Sequence, residues 1–145
     1  MKKMPPIEKI HEAMSALADD RVDLKEDSAT VRSSSGEKEY SVKFKNNFYS
    51  SDDKGTFWQG YAGYPIIAVL MLQEKLPQRP DLCQHFAGIN WTELNKKHKG
   101  NYSAAADEII DALSQKGINT EEIKDYISET YSQLEKMDIT VKRKI

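Results

Sequence analysis

Apolar positions along this chain recur with two different periods, and the change of period marks the change of structure. Behind Pro5 and Pro6, residues suited to a first helical turn, Ile7, Ile10, Met14 and Leu17 return at three- and four-residue spacing. This predicts an N-terminal helix with one apolar stripe, closed by Asp19 and Asp20. The period then shortens to two. Val22 and Leu24, Ala29 and Val31, and Tyr40, Val42 and Phe44 alternate with polar residues, the pattern of strands with one buried face. Turn residues separate them at 26–28 and 33–37. The expectation is a three-stranded antiparallel meander continuing through Phe48 and Tyr49. Residues 50–63 read as a loop of Asp, Gly and aromatics, and Pro65 opens the run Ile66 to Leu72. A run apolar on every side cannot lie on a surface, so it is a central helix or an interior strand. Pro65 and the helix formers Gln73, Glu74 and Lys75 favour the helix, which Pro77 and Pro80 end.

The second half carries helix-boundary signals. A short helix from Asp81 places Leu82 and Phe86 on one face and ends near Gly88. Asn90 with Glu93 forms a capping-box-like start for a helix anchored by Trp91 and Leu94 and stopped at Gly100. Asn101 or Ser103 starts the next, burying Ala106, Ile109, Ile110 and Leu113. Asn119 with Glu122 starts the last, whose stripe is Ile123, Tyr126, Ile127, Tyr131, Leu134 and Met137. Ile139 and Val141 then alternate with polar residues, as a short added strand would. Together these predict an α+β fold: an N-terminal helix, a three-stranded meander, a buried central helix and a helical C-terminal half covering the sheet.

Composition narrows the reading. The 145 residues, 39% hydrophobic, suffice for one core, so residues 1–145 read as a single domain, with 1–4 and 142–145 as candidate disordered ends. The 21 basic and 23 acidic residues nearly cancel, and no strong overall field draws the chain to nucleic acid or membrane. The start, Lys2, Lys3, Met4, Pro5, Pro6, lacks the apolar stretch of a secretory signal, and no run approaches the ~20 residues a membrane span requires. The single cysteine, Cys83, permits no internal disulfide. The expected location is the cytoplasm, with no membrane association.

Candidate chemistry is sparse. Cys83 and His85 would lie about 200° apart on a helix, too far round to act as a local pair, and Cys83 reads as a small core residue. His11 and His85 read as structural or exposed, and the three histidines give no metal spacing. Asp52 and Asp53 could offer oxygens to a hard cation but lack the pattern of a calcium loop and suit an ordinary turn. No metal site, cofactor or catalytic residue is expected. Two features remain. Eight of 13 aromatic residues lie between Tyr40 and Tyr64. Tyr40 and Phe44 share the core face with Val42, whereas Phe57, Trp58, Tyr61 and Tyr64 fall in the loop and form the candidate ligand- or partner-binding set. Lys96, Lys97 and Lys99 complement a helix C-terminus and, as the alternative, offer phosphate contacts to a nucleic acid, with Lys142, Arg143 and Lys144 adding to the patch.

Tyr40-Ser41-Val42, Tyr49-Ser50-Ser51-Asp52 and Ile66-Ile67-Ala68-Val69-Leu70 together resemble the SWIM module, a zinc finger built of a β-hairpin and a helix. The resemblance covers about a fifth of the chain. The positions matching the family's zinc ligands are Tyr49, Ser51, Gly63 and Pro65, none a usual ligand, so the resemblance implies a module for binding protein or nucleic acid without the metal. Three functions follow from the sequence, in this order: a non-catalytic interaction protein, a nucleic-acid binder, and an enzyme with its site around residues 50–64.

Overall fold

The three-and-four spacing after the two prolines forms α1 (Glu8–Ala18), and the alternating segments form β1 (Val22–Leu24), β2 (Ser28–Arg32), β3 (Glu39–Lys45) and β4 (Phe48–Ser51). The molecule is known here as a computed structural model describing residues 1–145. The meander has four strands rather than three, each antiparallel to the one before, because Asn46 takes a left-handed φ of 55° in a two-residue turn that pairs Lys45 with Phe48. The chain end supplies β5 (Thr140–Val141), parallel to β4, so the sheet order follows the sequence order. Register places Ala29 opposite Val42, Val31 opposite Tyr40 and Phe44 opposite Tyr49, and this face carries the buried apolar residues of the sheet. Tyr40 and Phe44 therefore face the core, while Lys43 and Lys45 are exposed.

The apolar run becomes α2 (Tyr64–Leu72), with Pro65 in its first turn and every residue from Pro65 to Met71 buried. It is α2, not the helical C-terminal half, that packs on β1, β3 and β4. A helix apolar all round needs protein on each side, and the interior between the sheet and the other helices is where it finds it. The remaining helices are α3 (Pro80–Cys83), which continues as a 3-10 turn over Gln84–Phe86, then α4 (Trp91–Lys97), α5 (Tyr102–Gln115) and α6 (Thr120–Lys136). The asparagines cap as their spacing predicts: Asn90, Asn101 and Asn119 accept from the backbone N–H groups of Glu93, Ala104 and Glu122.

Helix α1 departs from the single-stripe expectation, since Ile10 to Ala16 are all buried. It is enclosed by α2, α3, α5 and α6, with Ala13 and Ala16 small enough to admit close neighbours. Ser15 holds the C-terminal half against it, its hydroxyl donating to the Phe86 carbonyl and accepting from the Trp91 indole, each at 2.7 Å. From the chain ends, the Met1 ammonium donates to the Glu135 and Met137 carbonyls, and Arg143 Nε donates to the Phe57 carbonyl. No helix is long and apolar enough to cross a membrane.

Candidate functional site

A helix enclosed on every side carries its polar residues inward as well as its apolar ones, and this is how a charged cleft forms beside α1. Lys9 and Glu12, three residues apart, lie on the side of α1 away from the Ile10 and Met14 stripe, their charged ends 3.2 Å apart. Glu12 is only 7% exposed. Arg21 leaves the end of α1 and is pinned to β2, its Nη1 donating to the Arg32 carbonyl, whose residue's N–H in turn donates to the Arg21 carbonyl. Lys9, Glu12 and Arg21 form the inner wall of a cavity of about 180 Å³. Ser33, Ser34 and Tyr40 close it on the sheet side, Trp91, Thr92 and Asn95 from α4, and Tyr102 at the start of α5.

The fourth wall is the segment between β4 and α2. Residues 50–63 are not an open loop: β4 runs to Ser51, and Gly55–Gln59 form a single π-helical turn ending at Gly60, whose φ is 77°. Such turns occur often at functional sites. Asp53 caps this turn, with Oδ2 accepting from the Thr56 N–H at 3.1 Å, and the Thr56 hydroxyl accepts from the Gly63 N–H at 2.9 Å. Two glycines permit the packing. A Cβ on Gly63 would stand 2.2 Å from Asp53 Oδ2, and one on Gly55 would stand 2.8 Å from the Tyr61 ring.

The four aromatic residues of the sequence-derived set are divided by this turn. Tyr61 and Tyr64 are half-buried and line the cleft, Tyr64 edge-on to Tyr40 at 6.2 Å. Phe57 and Trp58 lie on the other side, edge-to-face at 4.8 Å, with the Arg143 guanidinium 5.2 and 5.5 Å from their centroids. Trp58 is 65% exposed. The lysine run is divided too. Lys97 pairs with Glu108 at 2.6 Å, a carboxylate shared with His98, while Lys96 and Lys99 are exposed. In the tail, Lys142 lies over the Phe48 ring.

The cleft is one electrostatic unit. Burial raises the Glu12 carboxyl above the usual carboxylate range, an effect that Lys9 and Arg21 oppose and Asp53 reinforces. Burial works against the Lys9 ammonium, yet Glu12, Tyr102 and Tyr61 outweigh it and hold its pKa above the ordinary lysine value; its Nζ also lies 4.4 Å from the Tyr102 centroid. Burial likewise raises the hydroxyls of Tyr40, Tyr61 and Tyr64. Arg21 and Asp53, 8% and 6% exposed, both line the cleft and keep buried polar atoms without a hydrogen-bond partner: Nε and Nη2 of Arg21 and Oδ1 of Asp53. The nearest carboxylate to Arg21 Nε is Asp19, at 3.6 Å.

Apart from Tyr61 and Tyr64, the sequence reading missed this constellation. Lys9 and Glu12 look like an ordinary solvated ion pair opposite an apolar stripe, and Arg21 and Tyr102 are far from them in sequence. The available signal was the pair Ala13 and Ala16 on that same side, small residues that let neighbours enclose the helix. His11 and Cys83 lie outside the cleft. His11 is buried edge-on to Phe86 and Trp91, and desolvation lowers its pKa to about 4. Cys83 is buried beside Leu17, and desolvation, aided by Asp81, pushes its thiol up to about 11.

A family model described as "Uncharacterised conserved protein UCP014422" matches residues 2–140, so the chain belongs to that family. Neither a protein of curated function nor a solved structure matches it.

Proposed function

Taking the chain as a member of the UCP014422 family, we propose that it is a non-catalytic binding protein whose cleft, between α1, the 53–64 turn and α4, receives a small polar ligand. One observation carries this reading: Arg21 and Asp53, two buried charged side chains of opposite sign, line the same cleft with polar atoms unpaired. Groups so buried cost stability unless something satisfies them, and a ligand contributes what the fold omits. The concave, tyrosine-rich wall supports it, because such walls combine apolar faces with hydrogen-bonding tips. Neither a histidine nor a cysteine lines the cleft, and Lys9, the amine paired with a carboxylate there, is held in its protonated, non-nucleophilic form above the ordinary lysine value. That favours binding over catalysis.

The test blocks the cleft without touching its charges. Thr92 is exposed at its edge, and Thr92→Trp would fill the opening. In a thermal-shift screen of defined amino acids, carboxylates, amines and sugars, a ligand at about a hundredfold excess over its Kd adds about 2.7 kcal/mol, or roughly 5 to 10 °C. The shift should disappear in Thr92→Trp. A shift that persists there places the ligand elsewhere.

A second reading, docking of a protein partner, is favoured by Trp58, a large ring exposed on the turn that walls the cleft. Trp58→Ala should weaken such a partner by about 2 kcal/mol or more.

A further inference from the structure

We infer that the ligand of this cleft is a small zwitterion of the amino-acid type, carrying an ammonium for Asp53 and a carboxylate for Arg21. The inference rests on the proposed binding function and deepens it.

Charge balance comes first. The lining holds three cationic side chains, Lys9, Arg21 and Lys54, and two anionic ones, Glu12 and Asp53. Lys9 and Glu12 neutralise each other at 3.2 Å, and Lys54 is exposed. What remains is Asp53, buried with no cation paired to it, and Arg21, whose Nε has the Asp19 carboxylate at 3.6 Å but whose Nη2 has no acceptor, so a purely anionic ligand would leave Asp53 uncompensated and a purely cationic one would leave Arg21 Nη2 without an acceptor.

Hydrogen-bonding capacity agrees. Asp53 has one oxygen committed to Thr56 and one unpaired, which is an acceptor for an N–H donor. Arg21 has Nη1 committed to the Arg32 carbonyl, Nε turned to Asp19 at 3.6 Å, and the Tyr64 hydroxyl close by, which leaves Nη2 as the donor for a carboxylate. Both atoms are buried, so a ligand meets them only if the two side chains turn towards the cleft that their residues line. Glu12 senses both Arg21 and Asp53 and so lies within the field of each, and all three border one cavity of about 180 Å³. That is a space on the scale of a single amino acid, not of a nucleotide or peptide. Tyr40, Tyr61 and Tyr64 line the same cavity, and a tyrosine combines an apolar ring suited to a short apolar side chain with a hydrogen-bonding hydroxyl.

Titration calorimetry on the full chain decides the matter, with the common amino acids as zwitterionic probes, propionate as the carboxylate alone and ethylamine as the ammonium alone. We expect at least one amino acid to bind about tenfold or more tightly than either fragment, since each fragment leaves one buried charge unpaired. Asp53→Asn should abolish the advantage over propionate, and Arg21→Gln the advantage over ethylamine. Circular dichroism and the thermal midpoint establish that each variant is folded. The milder Arg21→Lys, which keeps the charge and loses the planar donor fork, should weaken binding without abolishing it. If a carboxylate binds as tightly as any amino acid and Asp53→Asn leaves its affinity unchanged, the zwitterion inference is overturned while the small-ligand function stands. If no amino acid, carboxylate, amine or sugar binds at millimolar concentration, both are overturned.

Discussion

A methyl group at position 63 would stand 2.2 Å from Asp53 Oδ2 and 2.9 Å from the Thr56 hydroxyl, so Gly63 is required by what it packs against and not by its torsion angles. Gly63→Ala must move the carboxylate that caps the π-helical turn. We expect it to destabilise the protein by about 1 to 3 kcal/mol in urea unfolding, the usual cost of overpacking. Ser15 gives a second test at this scale. Its hydroxyl serves both the Phe86 carbonyl and the Trp91 indole, so Ser15→Ala leaves two polar groups without partners. The expected loss is about 1 to 3 kcal/mol per unsatisfied group, read from the same urea transitions. Gly63 was visible in the sequence as a loop glycine, but its neighbour Asp53 was not, because the contact is made only once the turn has closed.

At the scale of elements, the 53–64 turn separates rings that are uniform in sequence. Trp58 is 65% exposed, and Trp58→Ala should change stability by less than about 1 kcal/mol. Tyr64 packs against the core at the start of α2, and Tyr64→Ala should cost about 2 kcal/mol or more. Thermal denaturation of the two variants checks the division, and equal losses would contradict it. Helix boundaries were the most legible elements, because an asparagine cap and its N3 partner are neighbours in sequence. Asn119→Ala should accordingly cost about 1 kcal/mol. The fourth strand was less legible, since its turn depends on Asn46 entering the left-handed region, a choice the pairing of Lys45 with Phe48 makes for it.

For the whole molecule, two buried groups on α1 give opposite slopes of stability against pH. His11 titrates near 4 when folded and near 6.5 when unfolded, so as pH falls from 6.5 towards 4 the unfolded chain takes up a proton that the folded one refuses. Stability rises with pH across that window and is constant above it, a change on the order of 3 kcal/mol. Glu12 is shifted the other way: its folded carboxyl stays protonated above the unfolded value of 4.5, so stability falls as pH rises from 4.5 through the raised folded value. The two partly cancel in the wild type. We expect His11→Gln to leave only the falling limb and Glu12→Gln only the rising one, whatever constant offset each substitution adds. Urea midpoints from pH 4 to 8 measure both. A wild-type slope unchanged by either substitution would place the titrating groups elsewhere.

What the sequence determined by itself is local in origin. Periods of two and of three to four placed the strands and helices, asparagines and glycines bounded them, and the unbroken apolar run from Ile66 to Leu72 required an interior element, for which Pro65 and the helix formers after the run favoured a helix. These signals act between residues a few positions apart, where propensity, capping and patterning operate. Tertiary structure decided what depends on enclosure. It set α1 among four other helices, turned the Lys9 and Glu12 pair inward, and brought Arg21, Asp53, Tyr61 and Tyr102 to one cavity from separate parts of the chain. Periodicity shows which face of a helix is apolar, but not whether a second neighbour covers the opposite face. Whether a charge is solvated or buried, and so whether it marks a surface or a site, depends on that second neighbour.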